Sequence, residues 1–237
     1  MNWDVARILE RQLPWEWKMP KFIVKPIAIK SIEVLKFVKK IMKFNLSEVN
    51  DLIKTRRSIR PESFTTRKVQ RDQIELIIRN AQWAPNHGKT EPWRFTVFQS
   101  EEARQELSQK LGELYLKHTK SENQNDAKFA KLVRRPLISS VVIAVSMARQ
   151  EEERIPEIEE IEAVACAIQN MQLTATAYGL GSFWSTPKII YTDDMLPFLK
   201  LTDRDKCLGL IYLGYSKEEW PKSHRKPIEY NTEWRTP

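Results

Sequence analysis

Cysteine and histidine are scarce in this chain: of 237 residues, two are cysteine and three are histidine. Cys166 stands in an alanine-rich helical run and Cys207 at the start of an apolar strand. Both read as reduced core residues, which sets aside a disulfide framework. His87, His118 and His224 are scattered, with no cysteine or histidine at ligand spacing, so the pattern offers no metal site. No apolar stretch reaches the roughly 18 residues of a membrane span. Internal repeats and low-complexity tracts are missing too. The opening Met1-Asn2-Trp3-Asp4 lacks the basic-then-apolar order of a signal peptide, and the expectation is a cytoplasmic protein.

What is present begins with charge. The formal net charge is +8, but residues 1–45 carry ten Lys/Arg against four Asp/Glu, so +6 of it lies in an N-terminal arm and the body is close to neutral. A nucleic-acid domain should carry its positive stripe on the fold itself, so no nucleic-acid partner is expected. Within the arm, Ile29, Ile32, Leu35, Val38, Ile41 and Met42 recur at helical spacing opposite a lysine-rich side, a short basic amphipathic helix. Trp3, Trp15 and Trp17 precede it in a segment broken by Pro14, Pro20 and Pro26. Such a helix can lie on a membrane surface or a partner; packing on the body or across a dimer is the favoured reading. The domain expectation is therefore an arm over 1–45 and one domain over 46–237.

Along that domain the sequence predicts a helix over 47–55 with Ser47 as N-cap, and a second over 71–83 with Ile74, Ile77, Ile78 and Ala81 inward. A strand follows over 93–98, then helices over 101–118 and 126–134 and a central strand over 137–147 rich in Val and Ile. Residues 157–178 open acidic and continue apolar almost all round, a helix expected to be buried on most sides, in a core or at a subunit interface. Strands near 182–184 and over 207–215 complete the set. This order points to an α+β sandwich, not to regular βαβ repeats.

Four places could carry chemistry. Arg56, Arg57, Ser58 and Arg60 crowd three guanidiniums and a hydroxyl together, which suits a phosphate held by several charge-assisted bonds. The same residues could be a solvated helix end, where cations suit the dipole. Pro85-Asn86-His87-Gly88 reads as a turn and leads to Pro92-Trp93-Arg94-Phe95, whose Trp93 and Phe95 read as core. Tyr178-Gly179-Leu180-Gly181-Ser182-Phe183-Trp184 fails as a dinucleotide fingerprint, because position 184 is Trp and the motif follows a helix where a strand is required. Near the end, Lys222, His224, Arg225 and Lys226 precede Pro227, a charged stretch of the kind that is often merely solvated.

The pairing of Thr55-Arg56-Arg57-Ser58-Ile59-Arg60 with Pro85-Asn86-His87 and Pro92-Trp93-x-Phe95 resembles the opening of the FMN-dependent nitroreductase family, in the NAD(P)H nitroreductase branch with a Pro-Asp/Asn-His turn followed by Pro-Trp. The resemblance covers roughly 46–230 and implies a three-layer sandwich with a central mixed sheet flanked by helices, dimeric. It implies FMN as cofactor, with NADH or NADPH as donor. Arg56 and Ser58 would hold the phosphate, joined by Arg225; Arg60 would face the N1/O2 edge of the ring, and Arg57 would stand nearby. Trp184, Ser185 and Thr186 would line the ring. Pro187 departs from a position where glycine is common, and it has no N–H to offer. His87, with Trp83 similarly placed, would reach the flavin bound mainly by the other subunit of a homodimer. The implied activity is ping-pong transfer from NAD(P)H through the flavin to nitroaromatic, quinone or related small-molecule acceptors, with no catalytic dyad or triad. Dehalogenation, enone reduction or flavin fragmentation on the same fold remain alternatives, as does a non-catalytic basic protein that binds a membrane or partner.

Overall fold

The computed structural model describes residues 44–236, nearly all of the compact unit Leu46–Pro237. The expected arm, with its basic helix, lies outside the described residues apart from its last two positions. Helix α1 (Leu46–Thr55) starts one residue earlier than expected, so Ser47 falls in the first turn instead of capping it. Helix α2 (Arg71–Ala81) opens on a capping box in which the Gln70 amide donates to the Gln73 side chain at 3.0 Å. It buries Ile74, Ile77 and Ala81. Strand β1 (Trp93–Phe98) and helix α3 (Glu101–His118) follow, the helix capped by Ser100 Oγ, which accepts from the Ala103 amide at 3.1 Å.

Helix α4 (Asp126–Ile138) is capped in the same way by Asn125, which accepts from the Lys128 amide at 2.9 Å. The helix runs past the Arg134 where the sequence ends it, with Pro136 held in its last turn. Leu137 and Ile138 therefore belong to α4, and strand β2 (Val141–Met147) is shorter than the apolar run that suggested it. After helix α5 (Glu157–Ala177) come strand β3 (Gly181–Ser185), the one-turn helix α6 (Met195–Phe198) and strand β4 (Lys206–Gly214).

The strands lie in the order β1-β2-β4-β3, every neighbour antiparallel. This corrects the expected mixed sheet: among the described residues the only parallel pairing is an isolated bridge between Ser58 and Ser182. Successive side chains leave a strand on opposite faces. Val141, Ile143 and Val145 of β2 with Ile211 and Leu213 of β4 accordingly pack on α2 and α5, while Val142, Ala144, Leu210 and Tyr212 pack on α3 and on Ile189, Ile190 and Met195. The result is a three-layer α+β sandwich.

One expectation about burial needs correction, and another is met only in part within one chain. Helix α5 sinks Ala163, Val164, Ala167, Ile168, Met171 and Ala175, but Ile158, Glu162, Cys166 and Gln169 form an outward stripe. Contact with the sheet and α2 uses only the opposite side. Cys166 is thus exposed, whereas Cys207 is buried, and burial pushes its thiol up to about 11.

Candidate functional site

The end of α1 delivers the basic segment to the edge of the sheet. Ile59 is buried while Ser58 and Arg60 are exposed, the alternation of an extended chain. The Ile59 amide donates to the Ser182 carbonyl at 2.9 Å, so the segment runs parallel to β3 and Arg60 comes level with Trp184. Two glycines make room for it. A Cβ on Gly181 would lie 3.0 Å from Ile59, and one on Gly214 would lie 2.6 Å from the Phe64 ring. Farther on, the Thr65 amide donates to the Tyr215 carbonyl at 2.7 Å, closing the segment against the end of β4.

The three guanidiniums at the end of α1 do different things. Arg57 turns to backbone carbonyls, donating to Lys54 and Arg56 at the helix end and to Pro221 at 2.9 Å, which pins the C-terminal stretch. Arg56 makes no such bond, and no carboxylate pairs with it among the described residues. Burial, with the nearby charges of Arg225 and Arg57, holds its pKa below the ordinary arginine value. Arg225 itself donates to Ser223 Oγ at 2.5 Å and to the His224 carbonyl at 2.9 Å. Beside this cluster the Ser182 hydroxyl is buried with no partner. Guanidiniums gathered without a counterion, next to unspent hydroxyls, form a donor set that fits a phosphate.

At the other end of β3, Trp184 donates from Nε1 to the Leu208 carbonyl at 3.1 Å. Its indole lies on Gly209, where a Cβ would stand 2.0 Å from that nitrogen, and so it presents a flat, half-exposed wall. Ser185 and Thr186 continue from it, and Pro187 leads into a one-turn 3-10 helix over Lys188–Tyr191. On the opposite face of this strand, Arg135 of α4 donates to Glu62 at 2.9 Å and stands 5.0 Å over the Phe183 ring. Burial raises the Glu62 carboxyl, but bonds from its own amide and from Arg135 outweigh that and leave it below its usual range.

His87 and Trp83 stand apart from these residues. The His87 ring pairs through Nδ1 with Glu159 Oε2 at 2.6 Å, at the acidic start of α5. Its side chain is 62% exposed, and Trp83 is 82% exposed. Gly88 takes φ 62°, a conformation that favours glycine, and a Cβ there would stand 3.1 Å from Ile155. Among the described residues no hydrogen bond, ion pair or ring contact joins His87 or Trp83 to the arginine segment or to Trp184. Within one chain, then, the ten residues singled out in the sequence fall into an arginine–β3 group and a His87–Trp83 group. Glu159, Ser182, Glu62 and Arg135 were not anticipated, because their roles depend on tertiary neighbours. Gly209 did carry a signal, since glycine inside an apolar strand marks a close approach.

A family model described as the nitroreductase family matches residues 53–215. YfhC of Bacillus subtilis (strain 168), provisionally named an NAD(P)H nitroreductase, is 30% identical over 184 residues, covering 77% of this chain and 91% of that protein. Among solved structures, a nitroreductase-like family protein from Bacillus cereus superposes with a TM-score of 0.67 at 27% identity, over 81% of this chain and 98% of that one. A nitroreductase-type protein from Desulfovibrio desulfuricans, solved in complex with FMN, gives 0.61 at 27% identity, over 82% and 99%.

Proposed function

The chain belongs to the nitroreductase family of oxidoreductases, and from that premise we propose that it is a homodimeric, cytoplasmic FMN enzyme taking hydride from NADH or NADPH and reducing nitroaromatic, quinone or related acceptors. One observation carries this reading: Arg56 and Arg225 stand together beside exposed Ser58, with no carboxylate paired to either among the described residues. The FMN complex of the Desulfovibrio protein and the name of YfhC support the choice of cofactor and donor.

On this reading Arg56, Ser58 and Arg225 bind the flavin phosphate, and Arg57 holds the helix end and C-terminal stretch around it. FMN supplies a ring that accepts two electrons from the donor and passes them on. Arg60, level with Trp184, would supply a cation to that ring, where it would interact more strongly with a reduced, anionic form than with the neutral oxidised one. Trp184, Ser185 and Thr186 form the floor, with the Thr186 amide the free donor because Pro187 has none. His87 and Trp83 of one protomer complete the site of the other, with Glu159 fixing the imidazole. Positioning and polarising are the protein's whole task.

The purified protein should carry FMN, identified by absorbance and by mass after release. Arg56→Ala should weaken flavin binding by about 1.5–3 kcal/mol, the worth of a hydrogen bond to a charged group. Unchanged affinity in that variant would refute the phosphate placement. A bound flavin that neither NADH nor NADPH bleaches in stopped flow would remove the reductase activity.

A further inference from the structure

A second basic centre lies beyond the far end of β3. A cavity of about 970 Å³ opens between the C-terminal turn of α3, the start of α4 and the segment after β3, with Ser185 and Pro187 in its wall. The basic residues of its lining are His118, Lys120, Lys128, Lys131, Arg135 and Lys188, and no carboxylate lines it. Two of the six already have carboxylates. His118 pairs with Asp194 at 2.6 Å, a carboxyl that bonds from Lys117 and His118 hold below its ordinary range, and Arg135 pairs with Glu62. Among the described residues the ammoniums of Lys120, Lys128, Lys131 and Lys188 pair with none.

Like charges around one hollow repel, and a ligand carrying several negative charges relieves the repulsion. Lys128 and Lys131 are spaced so that they share one face of α4, and Lys120 and Lys188 approach from outside that helix. Ser185 lies about 10 Å along β3 from Ser182, so this centre is separate from the one at Arg56. The volume suits a dinucleotide, and Tyr115, Leu132 and Ile189 supply its apolar wall.

We propose that this cavity binds the adenosine phosphates of the nicotinamide donor and that Lys128 and Lys131 take the 2′-phosphate, which makes NADPH the preferred donor over NADH. The inference rests on the reductase reading for the nicotinamide end alone. A phosphate monoester adds roughly 1.5 to 2 negative charges at neutral pH, and charge is the property this wall selects.

The test uses the full-length protein and separates the two readings. Calorimetry with 2′,5′-ADP, which carries no nicotinamide, should show binding that weakens about tenfold or more in the Lys128→Gln/Lys131→Gln variant. The ratio of kcat/KM for NADPH to that for NADH should fall by a similar factor. A Lys68→Gln/Lys217→Gln variant, with the same loss of charge elsewhere, should leave the ratio unchanged. Equal affinity for 2′,5′-ADP in the wild type and the Lys128/Lys131 variant, or a ratio that does not move, overturns the assignment. Flavin content is measured on the same samples. A flavin-free protein that still binds 2′,5′-ADP through these lysines overturns the reductase reading and keeps the cavity. A flavin-loaded enzyme indifferent to the double substitution does the reverse.

Discussion

Arg104 is buried in the interior without a carboxylate partner among the described residues. Its guanidinium donates to the carbonyls of Leu137 at 2.9 Å and Ser139 at 2.5 Å, and its Nε donates to Ser100 at 3.3 Å. The last carbonyls of a helix have no intrahelical donor, and the C-terminal end of the dipole favours a cation. One side chain thus satisfies the end of α4 and ties it to the start of α3. Arg104→Met keeps the aliphatic volume and leaves those carbonyls buried and unpaired. It should lower stability by about 3 kcal/mol in urea unfolding, with an unchanged m-value; a loss within 0.5 kcal/mol, the range of an ordinary surface change, would show that water replaces it. Such roles are illegible in sequence, where Arg104 is one cation in a charged helix. The Arg56–Arg60 segment was legible as a basic cluster beside a hydroxyl because that pattern is local, but the part of Arg57, spent on backbone carbonyls, was not.

At the scale of elements, periodicity placed β1 and α3 to the residue, because Ser100 and the flanking turns mark their ends. It failed between α4 and β2, where Leu137 and Ile138 continue an apolar run and hydrophobicity alone cannot separate helix from strand. Of the two places expected to bury α5, the core of one chain covers only part of it, which leaves its outward stripe to the subunit-interface alternative. That surplus apolar surface continues on the neighbouring helices. Val49 and Ile53 of α1 and Leu76 of α2 are exposed, and a groove of about 400 Å³ lined by Leu52, Leu76, Leu173 and Tyr178 runs between α1, α2 and α5. The expected occupant is a second copy of the chain. Sedimentation should give a dimer, and Ile53→Glu with Leu76→Glu should shift it to monomer with loss of flavin. A wild-type monomer that holds flavin would refute both the dimer and the shared site.

For the molecule as a whole, the strand order has a consequence for its birth on the ribosome. Strand β2 is buried along its entire length, yet one of its two neighbours, β4, is made only after residues 148–205 have been added. At about 5–20 residues per second that interval lasts on the order of 3–12 s. Throughout it, a Val- and Ile-rich strand with an open hydrogen-bonding edge has nothing to pair with on that side, the condition under which nascent chains stick to one another. Ribosome-bound chains halted at residue 200 should therefore be captured by chaperones or aggregate, while chains halted well beyond residue 214 should not. Equal solubility at the two lengths would mean that α3 and α5 shield the strand before its partner arrives. The strand that completes the sheet thus governs how long the unfinished protein is at risk.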